Sequence, residues 1–164
     1  MSGSRGFLGS RFLASVILSA ATLGFAGCGG QLADAPKTVP VSGTVTVDGQ
    51  PVSGANVTFI PTSPGVHGAA GSTDANGRYT LFVGNNKGAM PGSYKVTIQY
   101  YVNKKDGTPV VITPETDMET ISADIKPALP PKYADPAQTV LTFEVPAKGT
   151  DAADFKLDKE APPA

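Results

Sequence analysis

The sequence predicts an all-β fold, a single antiparallel sandwich of about seven strands, on three observations. Short stretches alternate apolar and polar residues with a period of two, as Val39, Val41, Val45 and Val47 do against Pro40, Ser42, Thr44 and Thr46. Turn-forming pairs such as Asp48-Gly49, Asn76-Gly77 and Pro91-Gly92 punctuate those stretches. The composition agrees: among 164 residues there are 19 Gly and 15 Pro, no Trp, and 16% charged side chains. With no periodic glycine repeat, that balance fits a turn-rich β domain rather than collagen or a charged disordered chain.

The chain opens on a different chemistry. Arg5 and Arg11 are the only charges before Asp34, and an almost wholly apolar run lies between Phe12 and Phe25. A positive start, a short apolar run and the small residues Ala26 and Gly27 predict a secretory signal over residues 1–27. The run is about fourteen residues, short of the roughly twenty that a spanning helix needs. Cys28, the one cysteine, follows Phe25-Ala26-Gly27. This resembles the bacterial lipobox, with Phe25 where Leu is usual. The resemblance implies that Cys28 is acylated and becomes the first residue of the mature protein, attached to the lipid bilayer. Gly29 stands where an Asp would signal inner-membrane retention in enterobacterial lipoproteins, so the resemblance implies the outer membrane. Residues 28–38 then form the lipidated N-terminus and a flexible tether.

The domain is expected over residues 39–160, with 161–164 a frayed tail. Its first hairpin turns at Asp48-Gly49, a pair that tolerates positive φ, and Ala55, Val57 and Phe59 resume the inward pattern. Thr62–Gly71 is small, polar and turn-forming, hence a loop. Asp74, Asn76 and Gly77 form a turn into a strand in which Tyr79, Leu81 and Val83 share a face. After Pro91-Gly92, Tyr94, Val96, Ile98 and Tyr100 alternate with Lys95, Thr97 and Gln99. Asn103–Ala137 breaks the rhythm with prolines at 109, 114, 127, 130, 131 and 136. Proline removes ladder donors, so only short pieces are expected to pair there, at Val110–Thr113 and Thr120–Ile125. The segment is expected to be a tolerated insertion, and it is also where a recognition surface would be sought. Leu141, Phe143 and Val145 alternate with Val140, Thr142 and Glu144, and two partly apolar faces predict an inner strand. Phe155 and Leu157 mark the closing strand.

These pieces in order, VSGTVTVDGQPVSGANVTFIP, GSTDANGRYTL and PGSYKVTI, resemble the carboxypeptidase-regulatory-like domain. The likeness is close over residues 39–100 and implies a transthyretin-like (immunoglobulin-like) Greek-key β-sandwich. Leu129-Pro130-Pro131-Lys132-Tyr133, followed by Asp135-Pro136 and Thr139, is similar to small planctomycete-type lipoproteins carrying that domain.

Composition limits the functions. Loss of residues 1–27 leaves 11 of 13 basic side chains against 14 acidic ones. A net negative domain argues against nucleic acid as a partner, because that binding rests on neutralising phosphates. The only histidine, His67, sits in the Thr62–Gly71 loop without a cluster of other ligands, as a solvated residue would. Asp74-Ala75-Asn76-Gly77 resembles the opening of a calcium loop, but Asn85 stands where an EF-hand needs Glu. No H-x-x-E zinc site and no G-x-S-x-G elbow is present. Transthyretin-like hydrolases use several histidines and a C-terminal Tyr-Arg-Gly-Ser, whereas this sequence has one histidine and closes on Ala-Pro-Pro-Ala. No catalytic site, metal or cofactor is therefore expected. The expected role is a structural or protein-interaction module of the envelope. A carbohydrate-binding or adhesion module is the alternative, with Tyr101 and Tyr133 the available aromatic platforms. An isopeptide-locked adhesin would lack its late acceptor, since no Asn follows Asn103.

Overall fold

The computed structural model describes residues 37–113 and 115–159. The signal segment, Cys28, most of the tether, Pro114 and the tail lie outside the described residues.

The fold is an all-β sandwich. In chain order its elements are β1 (Ser42–Val47), β2 (Gln50–Pro51), β3 (Asn56–Pro61), β4 (Ala69–Ser72), β5 (Arg78–Thr80), β6 (Phe82–Val83), β7 (Asn86–Lys87), β8 (Gly92–Gln99), β9 (Tyr101–Asn103), β10 (Pro109–Val110), α1 (Met118–Ile121), β11 (Ile125–Pro127), α2 (Pro131–Ala134), β12 (Thr142–Val145) and β13 (Phe155–Leu157). One sheet is built on β1, which pairs with β5 through its first half and with β2 and β13 through its second. The other sheet runs β12-β8-β3-β4-β6-β7. Among strands of three residues or more, the two sheets hold β1, β3, β4, β5, β8, β12 and β13, in line with the expected number. A small third sheet, β10-β9-β11, extends the far end.

Alternation places the core. Val41, Val45 and Val47 are buried on β1 while Ser42, Thr44 and Thr46 are half-buried. Val57 and Phe59 on β3, and Tyr94, Val96 and Ile98 on β8, fill the facing layer. Asp48 (φ 51°) and Gly49 (φ 78°) form the expected turn, with positive φ at both central residues matching strand twist. The expected Tyr79–Val83 strand changes sheets midway. Tyr79 pairs across to Gly43 on β1, whereas Phe82 pairs to Ala70 on β4. Leu81, at the crossing, is fully buried.

The closing strand does something the period could not show. β13 runs parallel to β1, with Val45 opposite Phe155 and Val47 opposite Leu157. Before it, the Ala153 backbone lies over Gly43, where an added Cβ would stand 2.0 Å from the Ala153 oxygen. Tyr79 crosses the same bare position, and its hydroxyl donates to the Ala153 carbonyl at 2.7 Å.

Burial, followed by the nearby Asp154 carboxylate, raises the Tyr79 phenol well above its usual range. The neutral phenol therefore favours folding. That contribution is complete below about pH 10, the unfolded value, and is lost as pH rises from there toward the folded value. Tyr79→Phe should cost about 1–2 kcal/mol at neutral pH, since it removes a buried hydrogen bond and keeps the ring. It should also flatten the loss of stability above about pH 10, read by urea unfolding at pH 7 and above pH 10. An unchanged alkaline slope would show that Tyr79 does not carry this dependence.

Four expectations are corrected. Thr62–Gly71 is not loop throughout: Ala69–Ser72 forms β4, paired antiparallel along β3. Of Val110–Thr113 only Val110 pairs, in β10 with Pro109. Thr120–Ile125 is not a strand: Met118–Ile121 is helical, because Asp117 caps it through its carboxylate, accepting from the Glu119 N–H at 3.0 Å and from the Thr120 hydroxyl. Only Ile125 joins a strand, opening β11. Nor is β12 an inner strand. It pairs with β8 on one side and ends the sheet order, and Val140 just before it is 67% exposed.

Candidate functional site

The Asn103–Ala137 segment is built into the domain rather than looped off it. Its prolines allow only short pairings, Pro109–Val110 and Ile125–Pro127 against β9. Yet Ile125, Leu129 and Tyr133 are buried, and Leu129 and Tyr133 belong to the main apolar core. β12 stops pairing with β8 at Lys95, and the residues around α2 cover the rest of that edge. The Val96 N–H donates to the Leu141 carbonyl at 2.9 Å, the Thr139 hydroxyl donates to the Val96 carbonyl, and the Ala128 N–H donates to the Tyr100 carbonyl at 2.8 Å. An open strand edge would template pairing with another chain, and Ala128 together with the stretch from Thr139 to Leu141 covers this one.

The same segment walls a groove on the outer face of the six-stranded sheet. Registers Thr97–Thr58, Thr58–Ala70 and Ala70–Phe82 form one row, buried at its Thr97 end, and Gln99–Asn56 and Asn56–Ser72 form the next. The groove, about 440 Å³, lies over Thr58, Ala70 and Gln99 with Ile112 and Thr113 as its wall. Asn56 fixes that wall: its amide donates to the Ile112 carbonyl at 3.0 Å, and its carbonyl accepts from the Ser72 hydroxyl. Gln99 makes no side-chain hydrogen bond among the described residues. Phe82, at 43% exposure, adds an aromatic edge to the row. The arrangement is a shallow surface of mixed lining, largely apolar, with the Thr58 hydroxyl and the Asn56 and Gln99 amides at it.

The other singled-out residues are placed separately. His67 is exposed; its N–H lies 3.4 Å from the Met90 sulfur and its carbonyl accepts from the Tyr94 hydroxyl. Asp74 is committed to its turn, with Oδ1 accepting from the Asn76 N–H at 2.8 Å and the Arg78 N–H at 2.9 Å. That turn docks by backbone, the Val45 N–H donating to the Gly77 carbonyl. Among the described residues no group of three or more His, Cys, Asp or Glu is placed to hold a metal. Tyr133 is 7% exposed, with Lys132 Nζ 4.7 Å from its ring centre, and Tyr101 is half-buried between Val110 and Pro127. Neither stands as an open platform. The groove itself went unread in the sequence, because its residues come from strands paired out of chain order; only the polar Thr58 and Gln99 in the strand alternation signalled it.

Comparison with protein-family models, curated proteins and solved structures gives no match. Among the described residues no helix is long and apolar enough to cross a membrane.

Proposed function

We propose that the protein is a non-catalytic envelope lipoprotein, a sandwich module held to the outer membrane by acylated Cys28 and serving protein interaction. The observation that carries this reading is the position of the one cysteine, directly after an apolar run and Phe25-Ala26-Gly27. A lone thiol in an exported chain pairs only between molecules, whereas acylation removes it. Each buried methylene contributes about 0.8 kcal/mol, so two or three acyl chains hold the module firmly. The ordered motifs of the carboxypeptidase-regulatory-like domain, an accessory module, support the non-catalytic role.

The chain enters the sandwich at Val39, which bridges to Ala89. The Asp48-Gly49 turn closes the other end, about 30 Å away at about 3.3 Å per residue. Lys159 and the small sheet lie with it, the Lys159 N–H donating to the Asp48 carboxylate at 3.1 Å. In this reading that end faces away from the bilayer, with the Asn103–Ala137 segment as the presented surface.

Expression in a bacterial host with lipoprotein processing tests the anchor by intact mass and membrane partition. The parent should begin at an acylated Cys28 and sediment with membranes, and Cys28→Ser should remain unprocessed and unacylated. A parent recovered soluble with a free thiol would overturn the reading.

A further inference from the structure

The end of the sandwich remote from Val39 carries a pocket of about 430 Å³, lined by Tyr100, Val102, Lys126, Pro127, Ala128 and Lys159 among others. Three separate pieces of chain meet there: the end of β8 running into β9, the strand β11, and the residues after β13. The β9–β11 register sets Lys126 opposite Val102, so the lysine stands on the face of β9 that Val102 occupies. Val102 is 9% exposed, which gives the pocket an apolar floor, and Pro127 and Ala128 continue it.

The polar groups at this floor are under-used. Lys126 has no carboxylate within 4.0 Å among the described residues; the two ion pairs there are Lys105–Asp124 and Lys159–Asp48. The Lys159 pair is 3.8 Å long and half exposed, a geometry that leaves ammonium protons free. Tyr100 is 9% exposed, and its hydroxyl has no hydrogen-bond partner among the described residues. No fully buried polar side-chain atom lacks a partner, so that hydroxyl keeps contact with solvent, and the opening beside it is this pocket. The phenol is protonated at neutral pH, and desolvation raises it further, so it is a proton donor there. Two lysines and a tyrosine therefore line this apolar floor, donors of the kind that an oxyanion requires.

We propose that this pocket binds a small organic oxyanion carrying an apolar group, with Lys126 and Lys159 holding the charge, Tyr100 donating to it, and Val102 and Pro127 covering the apolar part. The inference concerns the domain alone and stands whether or not Cys28 is acylated.

Phenyl phosphate is the probe, titrated into the full chain in detergent while the backbone amide resonances of Tyr100–Val102 and Lys126–Ala128 are followed. Saturable shifts confined to those amides are expected. Lys126→Gln combined with Lys159→Gln should weaken the binding by about tenfold or more, and Tyr100→Phe by a few-fold, because charge-assisted donors outweigh a neutral one. Both lysines are exposed, so these variants keep the fold. Benzyl alcohol should bind more weakly for want of charge, and inorganic phosphate for want of the ring. No saturation by about 10 mM phenyl phosphate would overturn the proposal. So would unchanged binding by the double glutamine variant, or equal binding of either control.

Discussion

Gly43→Ala is expected to destabilise the domain by at least about 3 kcal/mol, one methyl group producing an effect of the size normally seen for emptying a core site. The added carbon would lie 2.0 Å from the Ala153 oxygen and 2.4 Å from its carbonyl carbon, inside any van der Waals contact. Nothing flexible can yield, because the obstacle is backbone. Ala153 is held in place by its N–H donation to the Ser42 carbonyl at 3.1 Å and by the Tyr79 hydroxyl at 2.7 Å. To admit the methyl group, the run from Thr150 to Phe155 must lift off β1, and the parallel pairing of β13 goes with it. At about 4 °C per kcal/mol for a domain of this size, the midpoint of thermal unfolding should fall by at least about 12 °C. Gly49→Ala is the comparison. Gly49 has a φ of 78° but open space around its Cβ position, so that change should cost only about 1 kcal/mol of left-handed strain. Circular dichroism melts of the two full-length variants separate the explanations. A Gly43→Ala protein melting within a few degrees of Gly49→Ala would mean that the Ala153 segment is not seated on β1.

Gly43 also marks the limit of what the sequence discloses. The alternation of Val41, Val45 and Val47, of Val57 and Phe59, and of Tyr94, Val96 and Ile98 was legible because a strand face is a local property with a fixed period. So was the Asp48-Gly49 turn, whose positive φ values belong to two adjacent residues. What Gly43 faces depends on a strand more than a hundred residues later, and a parallel pairing leaves no mark in either partner's period. The misreadings have the same origin. Asp117 captured a helix where β-favouring Thr120 and Ile121 had pointed to a strand, and Val140 and Leu141 gave an edge strand the apolar look of an inner one. Tyr133 and Leu129 sit in a proline-rich stretch with no periodicity, yet they reach the core because the stretch wraps the edge of β8. The candidate surfaces were the least legible of all. The outer groove takes residues from β3, β4, β8 and the stretch after β10, and the oxyanion pocket joins Tyr100, Lys126 and Lys159. Cys28 is the reverse case: its proposed role rests wholly on adjacent residues.

The centre of the fold should answer to Phe59. It is fully buried on β3, and its ring centre lies 5.5 Å from Tyr94, 5.7 Å from Phe143 and 6.2 Å from Phe155. Tyr94 and Phe143 lie on β8 and β12 of its own sheet and Phe155 on β13 of the other, so Phe59, beside the Phe143–Phe155 pair, is an aromatic contact through which the two sheets meet. Phe59→Ala removes the ring from a site bounded by strands that cannot close in, and the expected cost is about 3–5 kcal/mol. Phe59→Leu, which refills most of the volume without the aromatic edges, should cost less than half of that. The aromatic contribution is separable by a double-mutant cycle. Phe59→Leu and Phe155→Leu, alone and together, should show a coupling of about 0.5–1.5 kcal/mol, because the pair meets at 77°, near the edge-to-face arrangement that the ring quadrupoles favour. Phe143→Leu supplies a second cycle on the same centre at an interplanar angle of 56°. Urea unfolding of each variant gives the numbers, with the m value reporting whether the whole domain still unfolds as one unit. If Phe59→Ala costs under about 1 kcal/mol, or if the Phe155 cycle shows no coupling, the two sheets do not meet through this ring.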